Sequence, residues 1–313
     1  MDLSIIIVSF NTKDLTLNCI RSIEEHIGAT IDFEIVVVDN NSRDGSQAAL
    51  KSLCAQKPNC RLIEADANLG FAKANNIGIK RATGKFVLLL NSDTYLIDNS
   101  MLDALEYLRK HEKIFGCGCT LLNADHSVGI SYGAFPELGT LCKELIFGCY
   151  GQFRAVVPKK RTAIYTIDFP CGAFFLIRRN LLDAVGLLDE GFFMYCEETD
   201  LAKRAWKAGY AVVYYGPATV VHLRGQSASP NVVKPLPGEE TANLNKTLYQ
   251  SWKRYLLKHC SPLQAALVGF LVSLYFNAYR LFFALTRNAA AMRDYEKELR
   301  DLQSGWYAPV TPF

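Results

Sequence analysis

The chain has no G-x-G-x-x-G after its first apolar run, no C-x-x-C pair among its ten cysteines, no internal repeat and no low-complexity segment. The first absence disfavours a nicotinamide-dependent oxidoreductase, whose glycines let the backbone approach a pyrophosphate. The second, with no His-rich companion spacing, indicates neither a zinc site nor a disulfide framework. Asp and Glu are missing from Thr241 to Arg293, where seven basic residues fall: Lys246, Lys253, Arg254, Lys258, Arg280, Arg287 and Arg293. The remainder is near neutral or slightly acidic, and the net charge is only +3. That asymmetry predicts a basic module on a neutral, enzyme-like body, facing an anionic membrane surface or nucleic acid. Met1-Asp2-Leu3-Ser4 carries an acid where a signal peptide needs a basic region, and the apolar run stops by Phe10. The expectation is a reducing, cytoplasmic location.

What is present reads as alternating strands and helices. With 313 residues, half of them hydrophobic, the chain can bury a sizeable core. Ile5–Val8 and Glu34–Val38 are β-branched runs, and between them Leu15, Cys19, Ile20, Ile23 and Ile27 recur near helical spacing, which makes a β-α-β unit. A helix from Asp44 to about Lys57, a strand over Arg61–Ala65 and a helix over Phe71–Arg81 follow. Phe86–Leu90 is wholly apolar and reads as a central strand covered on both faces, running out into Asn91-Ser92-Asp93. The fold class is therefore α/β, a doubly wound, mostly parallel sheet flanked by helices.

Past residue 95 the pattern predicts a helix near 99–111, strands near 115–122 and 128–134, strands near 163–169 and 172–178, a helix over 197–208, and two strands at 211–215 and 219–222. Ser229-Pro230 through Pro235-Leu236-Pro237-Gly238 reads as a linker. The division is 1–235 for the main domain (1–95 and 96–235 as its halves) and 236–313 for a C-terminal helical region. There Leu263–Tyr279 is uncharged but short of a bilayer span of about 20 residues. Ser273, Asn277, Arg280 and Arg287 step along one helix face, so an amphipathic helix in the headgroup plane is expected, with a dimerisation or domain-packing helix as the alternative.

Polar residues collect at the carboxyl ends of the predicted strands, where ligands bind in open α/β sheets. They are Ser9-Phe10-Asn11, Asp39-Asn40-Asn41-Ser42, Asn68-Leu69-Gly70-Phe71 and Asn91-Ser92-Asp93. A carboxylate such as Asp39 can accept the imide N–H of uracil or thymine, Asn can hold ribose hydroxyls, Phe10 can cover a base and Lys73 can meet a phosphate. Asp93 suits a hard divalent cation carrying a diphosphate. Each residue alone is also an ordinary cap or turn; their placement on successive strand ends makes one pocket. A second constellation runs from Asp189 to Arg204 and puts Glu197, Glu198 and Asp200 at the start of a helix after an aromatic run. Acids there also suit the helix dipole, and Asp200 with Arg204 is an i,i+4 pair.

These motifs, in this order, resemble the inverting glycosyltransferases of family 2, and in particular a bacterial rhamnosyltransferase branch that builds cell-surface polysaccharide. The likeness covers about residues 3–225. It implies a GT-A fold, a nucleotide-sugar donor (dTDP- or UDP-linked), a saccharide or lipid-linked saccharide acceptor, and Mg²⁺ or Mn²⁺. By position, Asp93 matches the last acid of the family's metal-binding D-x-D, Asn91 replaces the first, and His222 matches a His that binds the cation in some relatives. Glu198 matches the general base with Glu197 as the substitute, and Arg224 assists the leaving group. Gly172, Ala173, Phe193 and Asp200 fall on the acceptor side.

The expected protein is a metal-dependent transferase, with L-rhamnose as the sugar. The basic C-terminal helices would hold it peripherally on the inner face of the plasma membrane, with no nucleic acid partner and with a homodimer as a possible assembly. Two alternatives stay open: a sugar-nucleotide nucleotidyltransferase, which should show a Gly-rich basic loop where Ser9–Lys13 has no glycine, and a non-catalytic nucleotide-sugar-binding module.

Overall fold

The computed structural model describes residues 1–28, 30–146, 155–224, 244–286 and 289–306. In the first half, β1 (Leu3–Ser9), α1 (Lys13–Ile27), β2 (Phe33–Asp39), α2 (Ser46–Ala55), β3 (Cys60–Glu64), α3 (Phe71–Arg81) and β4 (Phe86–Asn91) alternate as expected. The second half runs β5 (Thr94–Leu96), α4 (Met101–Lys110), β6 (Ile114–Leu122), β7 (Tyr132–Gly133), α5 (Leu138–Ile146), β8 (Ile164–Ile167), β9 (Phe169–Pro170), β10 (Phe174–Arg178), α6 (Arg179–Val185), α7 (Glu197–Lys207) and β11 (Ala211–His222). Three helices close the chain: α8 (Leu244–His259), α9 (Pro262–Leu285) and α10 (Ala289–Trp306).

The main sheet has nine strands in the order β3-β2-β1-β4-β10-β6-β11-β5, with β8 also on β11. Strands β3, β2, β1 and β4 are parallel, as is the β6–β11 pair, whereas β10 enters antiparallel between β4 and β6. The order reverses beside β1, so a crevice opens at the carboxyl ends of β1, β2 and β4. Strand side chains alternate between two cores. Ile5, Ile7, Leu88 and Leu90 pack with Ile20 and Ile23 of α1 and Leu105 of α4. Ile6, Val36, Val87 and Leu89 face the opposite way, toward α3, α6, α7 and the C-terminal helices.

Several expectations change. The two strands at 211–215 and 219–222 are one strand, β11, whose register shifts between Tyr215 and Thr219 where Gly216-Pro217 interrupts the alternation. Of the strand near 128–134 only β7 and a single bridge at Val128 form. Helices α5 and α6 fall where the sequence pattern predicts none. Cys54 at the end of α2 and Cys60 at the head of β3 are joined as a disulfide, although the cysteine spacing predicts no framework.

The linker over 229–238 lies outside the described residues. The amphipathic expectation for the C-terminal region is corrected by packing. One face of α9, with Ala265, Val268, Val272 and Phe276, is buried in the same core as Trp252 of α8, Trp306 of α10 and Leu201 of α7. Its outward face is apolar as well: Leu263, Phe270, Leu274, Leu281, Phe282 and Leu285 are all exposed. Ser273, Asn277 and Arg280 form only a narrow flank between the two, and Arg287 lies outside the described residues. At 24 residues α9 is long and apolar enough, by length and composition, to cross a bilayer. The basic surplus of the region is also smaller at its surface than the sequence suggests, because Arg254 and Lys258 turn inward to Asp189 and Asp200.

Candidate active site

The loops after β1, β2, β3 and β4 are locked to one another before any ligand is considered. Asn40 N donates to Ser9 O and Ala65 N to Asp39 O, which keeps the three strand ends level. Asn11 and Asn41 adopt left-handed backbone (φ 53° and 66°), a conformation Asn tolerates better than most residues. The Asn11 amide donates to Ser42 Oγ, and Asn11 Oδ1 accepts from Arg43 N. Ser9 Oγ lies 3.0 Å from Thr16 Oγ1, and Thr12 Oγ1 lies 3.1 Å from Ser92 Oγ, in a fully buried hydroxyl cluster. Asn68 Oδ1 accepts from Asn40 Nδ2 and from Gly70 N. Ser9, Asn11, Ser42, Asn68 and Ser92 each have a side-chain oxygen engaged within the protein, so these side chains brace the loops. Lys73 is exposed on α3, while Phe10 and Phe71 are half-buried at the rim.

Asp39 is different. Its Oδ1 accepts from Ser42 N and Gln47 Nε2, but Oδ2 is buried with no hydrogen-bond partner among the described residues. Stranded buried acceptors are costly, and native structures rarely keep one without a use. The same condition recurs along the edge, at Asn91 Oδ1, Asp93 Oδ1, His222 Nδ1, Arg224 Nε, Glu197 Oε2 and Glu198 Oε2.

Asp93 follows β4 and His222 ends β11, two strands that meet through β5. His222 Nε2 stands 3.3 Å from Asp93 Oδ1, and Leu223 N donates to Asp93 O. Among the described residues no cluster of three His, Cys, Asp or Glu surrounds a common point. The chain therefore offers Asp93, His222 and the free Asn91 oxygen. That donor set fits a Mg²⁺ or Mn²⁺ ion that takes its remaining ligands from water and a diphosphate.

Asn91 N donates to Ala173 O, which ties this group to the segment Cys171-Gly172-Ala173. A Cβ on Gly172 would lie 3.6 Å from the carboxyl carbon of Glu198. The Cys171 thiol is pushed up to about 11, first by burial, and it also feels the charges of Glu198, Arg224 and Asp93. Glu198 and the turn that carries Asp93, about a hundred positions apart in sequence, therefore approach one short segment. Arg224, with left-handed backbone (φ 49°), donates from Nη2 to Ile130 O.

Helix α7 begins after two consecutive left-handed residues, Tyr195 (φ 71°) and Cys196 (φ 64°). Such backbone is held only where its surroundings dictate it, and it brings Glu197 and Glu198 into the helix's first turn. Glu197 is buried, and its carboxyl is pushed well above the ordinary range by burial and then by the neighbouring Glu198 charge. Glu198 is only half-buried; burial raises it too, but backbone N–H groups and a hydrogen bond from Glu197 hold it back. Burial thus acts against the charged form of both carboxyls, and the hydrogen bonds that Glu198 accepts favour ionisation there over Glu197.

Phe193 is exposed, and its carbonyl accepts from Phe71 N at 2.6 Å. Gly70 (φ 78°) allows this approach, since a Cβ there would meet Phe193 O at 2.4 Å. Asp200 does not belong to the acceptor side. It is fully buried, with Oδ2 on Arg204 Nε at 2.9 Å and Oδ1 on Lys258 Nζ and His259 Nε2 at 2.8 and 2.7 Å. The i,i+4 pair read from sequence is formed, while Lys258 and His259 carried no signal because they come from a distant helix. Asn76 of α3 was also missed; it bonds the backbone of Leu188 and the Glu190 side chain, steadying the approach to α7.

The doubly wound, mostly parallel sheet flanked by helices, with its polar carboxyl edge, is a GT-A type fold. The chain belongs to glycosyl transferase family 2, whose model matches residues 4–186. It is a glycosyltransferase by family, which sets the nucleotidyltransferase alternative aside. It is 26% identical over 230 residues to rhamnosyltransferase WbbL of Escherichia coli, covering 70% of this chain and 82% of that one. It is 27% identical over 237 residues to an N-acetylglucosaminyl-diphospho-decaprenol L-rhamnosyltransferase of Mycobacterium tuberculosis, covering 69% and 73%. The fold is shared with mannosyltransferase PcManGT of Pyrobaculum calidifontis in complex with GDP-Man and Mn²⁺ (TM-score 0.58, 15% identity, 97% of this chain and 87% of that chain). It is shared also with S. aureus TarS 1-349 in complex with UDP-GlcNAc (TM-score 0.54, 18% identity, 98% and 93%).

Proposed function

We propose that the protein is an inverting, metal-dependent glycosyltransferase that moves L-rhamnose from dTDP-rhamnose to a lipid-linked saccharide acceptor in cell-surface polysaccharide synthesis. The observation that carries this reading is that Glu198 and the Asn91-Ser92-Asp93 turn approach the same short segment, Cys171-Gly172-Ala173. The names of the two rhamnosyl relatives support the sugar, and the decaprenol in one of them supports a lipid-linked acceptor.

The stranded Asp39 Oδ2 accepts the imide N–H of thymine or uracil, a donor that guanine and adenine do not present in the same place. Asp93 and His222, with Asn91, would hold the cation, and Arg224 would lie near the diphosphate. A divalent ion bound there supplies positive charge against the departing nucleoside diphosphate. Glu198 accepts the proton of the acceptor hydroxyl as its oxygen bonds to the anomeric carbon and the bond from that carbon to the diphosphate oxygen breaks. Attack from the face opposite the leaving group inverts the anomeric centre. Glu197, whose carboxyl burial pushes up, orients Glu198.

The outward apolar face of α9 supports peripheral attachment to the cytoplasmic face of the plasma membrane, where a lipid-linked acceptor resides. Flanking Lys and Arg would contribute roughly 1 kcal/mol each on an anionic surface. Flotation with anionic vesicles tests this attachment: Leu274→Ser with Phe282→Ser should lose binding, and equal binding would overturn it. A panel of nucleotide sugars with Mg²⁺ or Mn²⁺, scored for nucleoside diphosphate release and for the anomeric configuration of the product, tests the reaction. Release from dTDP-rhamnose with inversion is expected; turnover confined to another donor, or retention, would overturn the proposal.

A further inference from the structure

The entry into α7 is strained and is held from outside, because Tyr195 and Cys196 both sit in left-handed backbone. The hold comes from one face of α8, where Ser251, Arg254 and Lys258 follow at intervals of three and four. Ser251 Oγ donates to Met194 O at 2.7 Å. Arg254 Nη2 and Lys258 Nζ reach Asp189 at 2.9 and 2.7 Å. Lys258 Nζ also reaches Asp200 at 2.8 Å, so a single ammonium joins the two ends of the segment that bears Glu197 and Glu198. His259 completes the grip on Asp200. Gly191 belongs to the same device: a Cβ there would stand 2.1 Å from Arg254 Cζ, so only glycine lets the guanidinium lie against the segment and over the Phe192 ring.

Buried ion pairs of this kind add little net stability compared with apolar residues of the same volume, while they fix geometry strictly. We infer that α8 is a positioning element for catalysis: through Asp189, Met194 and Asp200 its residues Lys258, Arg254 and Ser251 set where the carboxylates of Glu197 and Glu198 stand against Gly172. The inference rests on the reading of Glu198 as the base. It places the C-terminal helices inside the catalytic apparatus as well as at its periphery, since α8 packs on both α9 and α10.

Lys258→Met removes the shared ammonium and keeps most of the stem; Lys258→Arg restores the charge, and Ser251→Ala removes only the bond to Met194. In the full-length protein, Lys258→Met should lower kcat for transfer at least tenfold, with the donor KM and the Kd for nucleoside diphosphate within twofold of wild type. Lys258→Arg should recover part of the loss, and Ser251→Ala should show the same split on a smaller scale. Unchanged kcat, or a parallel loss of kcat and donor affinity in both Lys258→Met and Ser251→Ala, would overturn the inference. Amide hydrogen exchange over residues 189–200 provides a readout independent of turnover. Faster exchange in Lys258→Met supports the clamp even if no nucleotide sugar is consumed by the wild type, an outcome that would reject the proposed reaction alone; unchanged exchange rejects the clamp.

Discussion

Gly172 lies directly against Glu198, close enough that a Cβ on the glycine would make ordinary contact with the carboxyl carbon at 3.6 Å. An alanine fits this space and a larger side chain does not, because it would enter the gap into which the base must receive its proton. Gly172→Ala should therefore fold and retain most activity. Gly172→Leu should lose at least tenfold in kcat with a melting temperature within a few degrees of wild type. Steady-state kinetics beside a thermal melt separates the two.

Glu198 must be ionised to take a proton, and burial raises its carboxyl from the ordinary value of 4.5. The acidic limb of kcat should accordingly fall at a pH above 4.5, with activity present above the limb and lost as pH drops through it. Glu198→Gln should remove that limb and lower kcat by about 10²–10⁴, with donor affinity preserved. A pH–rate profile of both proteins, paired with equilibrium binding of the donor, is the check.

Asp93 and His222 share one approach to the cation, so their losses should differ in kind from that of Glu198. His222→Ala should raise the Mn²⁺ concentration needed for half-maximal activity, and Asp93→Ala should raise it further, since a charged ligand is removed. Titration of turnover against Mg²⁺ and Mn²⁺ reads both shifts. An unchanged metal requirement in both variants would exclude these residues as ligands.

Asp200 should make the protein acid-labile. Burial opposes its ionisation, but the His259 hydrogen bond and the Arg204 and Lys258 charges outweigh burial and hold the group down to about 2 from 3.8. Its folded value is depressed, so the stability it contributes is present above the unfolded value and is lost as pH falls toward 2. A shift of this size corresponds to on the order of 2 kcal/mol. Urea melts at pH 5 and pH 3 should show a smaller loss in Asp200→Asn than in wild type.

The first four parallel strands and their helices were legible because covered strands are nearly all apolar and helices repeat every three to four residues, both local properties of the chain. The second half was less so. β11 reads as two strands because Gly216-Pro217 breaks the alternation, yet pairing with β6 on both sides of the break carries one strand through it. Local sequence also placed the pocket at the strand ends, since Asp39, Asn91 and Asp93 follow apolar runs directly. It could not say which polar side chains face inward to the loops. Ser9, Asn11 and Ser42 look like ligand contacts in sequence and are braces in space, because their partners Thr16, Arg43 and Asn11 are chosen by packing.

The amino-acid order by itself determined the wound sheet, its polar carboxyl edge and the family motifs, all of which depend on neighbours a few residues apart. Only the tertiary structure decided that Glu198 and the turn bearing Asp93 approach one segment, that Asp200 pairs with His259 and Lys258, and that α9 is apolar on both its buried and its outward face. Those outcomes depend on contacts between residues tens to more than a hundred positions apart, where charge pairing and burial, and not local periodicity, select the partner.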